Sequence, residues 1–69
     1  MNFLALIEPT ATGFAATVPD LPGCIATGTN RDEVVSNITE AVQFHVDGMR
    51  EDGTPIPEPT TTAEIVSVT

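Results

Sequence analysis

The chain has 69 residues and a formal charge of −8, because it contains ten Asp and Glu residues but only two Arg and no Lys. A chain of this length folds around one modest core, which excludes a large catalytic cleft with a separate substrate domain. Two cations are also too few to neutralise a nucleic-acid backbone, so we expect no direct binding to DNA or RNA and favour a basic protein as the partner.

The first half of the chain predicts three short strands. Residues 2–8 are mostly apolar, residues 9–13 carry turn formers, and residues 14–18 resume an extended pattern, which indicates an antiparallel hairpin. A rigid connection with two prolines occupies residues 19–23. Residues 24–27 follow as a third strand.

A helix is the clearest predicted element. Asn30 is a good N-cap, Glu33 stands three residues later as in a capping box, and Gly53 is placed to end the helix. Between Asn30 and Gly53, residues that are apolar except for one histidine recur at spacings of three and four, which defines one buried face. That face comprises Val34, Val35, Ile38, Ala41, Val42, His45, Val46 and Met49.

Residues 62–69 return to a β-prone pattern and predict a fourth strand. The element order β-β-β-α-β then indicates an α+β fold in which a helical crossover brings the fourth strand beside the first. The expected sheet order is 3-2-1-4, with the helix on one face. The first strand is apolar on both faces, so the uncovered face predicts a homodimer, a larger homo-oligomer or a partner protein.

Three segments in this order carry a family resemblance: D-L-P-G within V-P-D-L-P-G-C at 18–24, G-T-N-R-D-E at 28–33, and D-G-T-P-I-P-E-P at 52–59. Together they resemble the HicB-like antitoxin family of type II toxin–antitoxin systems, over residues 2–68. The most distinctive positions are Pro19, Asp20, Leu21, Pro22, Gly23 and Cys24.

The resemblance implies a partial ribonuclease-H-like fold, and an antitoxin that binds a HicA-type toxin and masks its active site. Such a toxin is a small basic ribonuclease that cleaves mRNA. Many relatives continue into a C-terminal DNA-binding domain. We expect residues 1–69 to form a single antitoxin domain without that extension.

The predicted outer face of the helix carries the candidate partner-binding residues. Opposite charge would steer a basic toxin towards this face, while apolar sheet surface would supply affinity. An ordinary solvated face, or adaptation of the surface to high salt, explains the same charges. The candidates are Asp32, Glu40, Asp47 and Glu51.

Two other functions remain open. A metal-dependent nuclease of the ribonuclease-H-like type would need clustered carboxylates, but Glu8 and Asp20 are not spaced to meet the helix acids. The second alternative is an oligomeric structural or ligand-binding domain that has no toxin partner. We expect no enzyme activity and no catalytic residue; Cys24 and His45 are predicted to pack rather than react.

No cofactor, metal site or membrane segment is expected. Cys24 is the only cysteine and His45 the only histidine, so neither a disulfide nor a multi-cysteine zinc site is possible within the chain. The longest apolar run covers residues 3–7, which is too short to span a membrane, and no signal-peptide pattern is present. We therefore expect a soluble cytoplasmic protein.

Overall fold

The computed structural model describes residues 1–69 and has the element order β1 (Leu6–Pro9), β2 (Phe14–Thr17), β3 (Ile25–Gly28) and α1 (Arg31–Asp52). The strands form one antiparallel sheet in the order β1-β2-β3. The helix packs on one face of this sheet. The predictions of an α+β class, of the three-stranded meander and of the helix are confirmed.

The first strand is shorter than its sequence pattern suggests. Leu6 pairs with Thr17, which is the last residue of β2. Beyond it, the N–H of Val18 donates to the carbonyl of Cys24 (3.3 Å), and Pro19 has no N–H to offer. The ladder therefore cannot extend further towards the N-terminus, and the predicted start of β1, four residues earlier, was wrong.

Both ends of α1 are capped as the sequence predicts. Asn30 Oδ1 accepts the N–H of Glu33 (2.8 Å), and Glu33 Oε1 accepts the N–H of Thr29 (3.0 Å). At the other end Gly53 adopts a left-handed conformation (φ 69°), and its N–H donates to the carbonyl of Arg50 (3.2 Å).

The core lies between the sheet and α1, and the loop before β3 contributes to it. The loop turns back on itself, since the N–H of Leu21 donates to the carbonyl of Val18 and the N–H of Cys24 donates to the carbonyl of Leu21, both over 3.0 Å. This loop inserts Leu21 beneath the helix with no exposed surface. The buried residues are Ala16, Val18, Leu21, Cys24, Val34, Ile38 and Val46.

The predicted fourth strand does not form. Residues 54–69 belong to no helix or strand, so the expected 3-2-1-4 sheet and the β-β-β-α-β order are corrected to a three-stranded sheet followed by one helix. A strand is stable only when its backbone groups are paired with a neighbouring strand, and residues 62–69 form no such pairing with β1. The ribonuclease-H-like assignment stays a prediction.

Candidate partner-binding surfaces

The molecule has two layers, and each layer presents one open surface. Ile7, Ala16 and Ala26 are neighbours across the sheet and pack towards the helix in the core cluster. Because side chains alternate along a strand, the adjacent row of Leu6, Thr17 and Ile25 points away from the helix. The outer face of α1 lies on the opposite side of the molecule.

The outer face of α1 carries the predicted acidic residues. Asp32, Glu40, Asp47 and Glu51 are all exposed, as expected. Asp47 accepts a hydrogen bond from Gln43 Nε2 (2.9 Å) and lies 3.6 Å from Arg50 Nη1. The other three carboxylates form no ion pair, so this face keeps a net negative charge available to a cationic partner.

An aromatic side chain on the same face was missed by the sequence reasoning. Phe44 is 83% exposed, and it lies one turn from both Glu40 and Asp47 and two turns from Glu51. A large aromatic surface in water, surrounded by charged side chains, is typical of an interface anchor. The signal was present in the sequence, because Phe44 interrupts the apolar spacing that defines the buried face of the helix.

The uncovered sheet face is nearly uncharged. Leu6 and Ile25 are 42% and 61% exposed, Ala15 and Thr17 lie beside them, and Glu8 is the only carboxylate. Since this face and the outer face of α1 point in opposite directions, one compact partner can cover only one of them. We therefore treat them as two separate surfaces.

The residues of the family motif hold the fold together. Leu21 and Cys24 are buried, and burial raises the pKa of the Cys24 thiol, which favours the unreactive protonated form. Gly23 has a φ of 84°, which side chains with a Cβ avoid. Asp20 binds the chain after the helix, and Pro19 and Pro22 are exposed.

The polar side chains at the start of α1 already have hydrogen-bond partners within the chain. No three His, Cys, Asp or Glu side chains lie close enough to hold a metal ion. A polar depression of about 490 Å³ at the start of α1 contains Glu33 and Asn37, but Glu33 binds Thr29 and Asn37 Nδ2 donates to the carbonyl of Thr27 (2.8 Å). These two side chains therefore serve the fold. The helix also lacks the apolar stretch that crossing a membrane requires.

Comparison with known proteins places this fold and these motifs in a family. The chain is 38% identical over 58 residues to an uncharacterized 14.9 kDa protein of Haemophilus phage HP1. The aligned region covers 84% of this chain but only 44% of the phage protein. It is 35% identical over 48 residues to a UPF0150 protein of Helicobacter pylori, covering 70% and 67% of the two chains.

The structure is similar to a chain of the HicA3 and HicB3 toxin–antitoxin complex, with a TM-score of 0.74 and 28% identity over 87% of this chain and 70% of the other. The family model for the HicB-like antitoxin of bacterial toxin–antitoxin systems matches residues 3–68. This chain therefore belongs to the HicB-like antitoxin family.

Proposed function

We propose that this protein is an antitoxin that binds a HicA-type ribonuclease toxin and neutralises it by covering its RNA-binding active site. The observation that carries the proposal is the shared fold with a chain of a HicA3–HicB3 complex, together with the family match over residues 3–68. The protein would act by binding alone and would perform no chemistry of its own.

The outer face of α1 is the surface best suited to this partner. A ribonuclease must hold a chain of phosphates, so its substrate-binding surface is basic. The free carboxylates of Asp32, Glu40 and Glu51 offer that surface the negative charge that RNA would otherwise supply. Phe44 adds an apolar anchor among them, and its ring face can also receive an arginine side chain of the toxin.

The two components of this surface should affect different rate constants. Carboxylates at the rim attract the partner over a distance and raise the association rate, an effect that salt screens. An aromatic side chain that becomes buried in the complex must leave its pocket before the partners separate, so Phe44 should chiefly slow dissociation.

The test takes any small basic protein encoded next to this chain's gene as a candidate toxin: such a neighbour is co-purified with this chain and then tested in an RNA-cleavage assay. We expect the neighbour to cleave RNA alone and to lose that activity at equimolar antitoxin. A neighbour that is fully active in the presence of excess antitoxin would contradict the proposal.

The docking surface is tested separately by two matched variants. Phe44→Ala and Ile25→Ala each shorten one exposed apolar side chain, but on opposite sides of the molecule. Phe44→Ala should weaken toxin binding by about 30-fold or more, the effect of removing an interface hot spot, whereas Ile25→Ala should leave it unchanged. The reverse pattern would assign the toxin to the uncovered sheet face.

A further inference from the structure

Three aliphatic side chains after the helix are exposed to solvent. Ile65, Val66 and Val68 are 95%, 76% and 92% exposed, and every residue from 61 to 69 is exposed. Single exposed apolar residues are ordinary, but three within four positions of a β-prone segment form a surface that favours burial. We call residues 62–69 the C-terminal segment.

The C-terminal segment extends away from the body of the protein. The radius of gyration is 13.5 Å, compared with about 11 Å for a compact domain of this length, and the longest dimension is 46 Å against a shortest of 16 Å. Its starting point is defined, because Thr61 is held by the carboxylate of Asp20. The segment is thus anchored at one end and free to meet another molecule along its length.

β1 and β3 are both edge strands of the sheet, and β1 is the more open of the two. At the β3 edge, Asn37 of α1 donates to the carbonyl of Thr27, and α1 contacts β3 more extensively than it contacts β1 or β2. The outer edge of β1 has no neighbouring strand, and no side chain of α1 is hydrogen-bonded to it. An unprotected edge pairs readily with an added strand.

An apolar groove runs beside that open edge. It has a volume of about 260 Å³ and lies between the residues that precede β1 and the middle of α1. Its apolar lining is provided by Met1, Phe3, Ala5, Ile38 and Val42. A strand added to β1 would direct alternate side chains towards this groove and towards the uncovered sheet face, which are the two apolar surfaces that one helix leaves open.

We infer that the C-terminal segment of one copy adds as a strand to the β1 edge of a second copy, and that the exchange is reciprocal. The added strand would pair with β1 over Leu6–Pro9, whose outer side has no neighbouring strand. Each chain offers both a free strand and a free edge, so two copies related by a twofold axis satisfy each other and the assembly closes.

The charges favour a second copy over the toxin as occupant. The C-terminal segment contains one charged side chain, Glu64, and residues 2–9 contain one, Glu8. Neither the segment nor the edge offers a basic partner the charge complementarity that the outer face of α1 does. The inference is independent of the proposed function, because it concerns the β1 edge of the sheet and not the outer face of α1 that carries Phe44.

Sedimentation analysis of the 69-residue chain, alone and without any toxin, tests the inference. We compare the wild type with Ile65→Asp/Val66→Asp, and with the control Thr12→Asp/Ser36→Asp, which adds the same charge at exposed positions elsewhere. The wild type and the control should be dimers. The segment variant should dimerise about 100-fold more weakly, while the helix signal in its circular dichroism stays unchanged, because α1 takes no part in the exchange and both side chains are exposed in the monomer.

Isotope-filtered NOE spectra of a mixed labelled and unlabelled sample identify the contact itself. We expect contacts between the methyl groups of Ile65 or Val66 in one copy and those of Leu4 or Leu6 in the other. A monomeric wild type, a segment variant that dimerises as tightly as the control, or contacts confined to one chain would each overturn the inference.

Discussion

The carboxylate of Asp20 binds Thr61 twice: Oδ2 accepts its backbone N–H over 3.0 Å and Oδ1 accepts its hydroxyl over 2.8 Å. The hydroxyl of Thr60 adds a third, longer hydrogen bond of 3.4 Å. These contacts join the loop before β3 to the chain that follows the third segment of the family pattern, across 41 positions of sequence. They determine where the C-terminal segment leaves the body of the protein.

Asp20→Asn should release the chain after residue 59. The amide group would present an N–H donor where the carboxylate now accepts from Thr61, so at least one hydrogen bond is lost. We expect faster hydrogen exchange of the Thr61 amide and faster proteolysis after residue 59, with the core unchanged. The control is Glu58→Gln, a nearby exposed carboxylate without a hydrogen bond; equal exchange rates in both variants would contradict the prediction.

The same contact should depend on pH. The hydrogen bond from the backbone of Thr61, followed by that from its side chain, lowers the pKa of Asp20 below the ordinary value of 3.8. A carboxyl group whose pKa is lower in the folded state stabilises that state above its unfolded pKa, and the contribution disappears as the pH falls through the folded value. The Thr61 amide should therefore stay protected near neutral pH and lose protection below about pH 3.8. Asp20→Asn should abolish this transition.

Gly28→Ala should destabilise the fold. A Cβ at this position would lie 2.6 Å from the backbone nitrogen of Val34, so the start of α1 would have to move away from β3. We expect a loss of about 1–3 kcal/mol in the free energy of unfolding, measured with urea. Gly48→Ala is the matched control, because nothing lies within 4 Å of its added Cβ and alanine favours the helix; it should gain up to about 1 kcal/mol.

Leu21→Ala should show that the loop motif is part of the core. Leu21 is fully buried beneath the helix, and its truncation leaves a cavity that costs about 2–5 kcal/mol. That is a large share of the roughly 5–15 kcal/mol available to a small domain, so the thermal midpoint should fall steeply. Leu6→Ala, the same change at a 42% exposed position, should cost much less. Similar losses of stability in the two variants would mean that Leu21 of the loop is not an essential part of the core.

Charge reversal on α1 should slow toxin association. Glu40→Lys/Asp47→Lys removes two attractive charges from the outer face of the helix and adds two repulsive ones, which should reduce the association rate at low salt and matter little at high salt. The melting temperature should change little, because both side chains are exposed. Glu58→Lys/Glu64→Lys, which changes the net charge equally away from the helix, serves as control, and an equal effect on the rate would argue against a localised docking surface.

Local chemistry was sufficient to predict most of the framework. The N-cap of Asn30, the stop at Gly53 and the apolar spacing between them define α1, because helix hydrogen bonds and caps are formed by residues close in sequence. The turn formers of residues 9–13 likewise predict the hairpin of β1 and β2. The acidic residues of α1 could be assigned to its outer face from the same periodicity.

Strand pairing and burial, which depend on residues far apart in the chain, could be seen only in the tertiary structure. Residues 62–69 have the composition of a strand, but composition does not supply the neighbouring strand, and the structure leaves their aliphatic side chains in water. Whether Phe44 is buried depends on how α1 is rotated against the sheet, and the answer is 83% exposure. Composition and local pattern therefore define a small acidic α+β domain with one capped helix. Which edge of the sheet is uncovered and which apolar side chains are exposed emerge only from tertiary packing, since both depend on contacts between residues far apart in the chain.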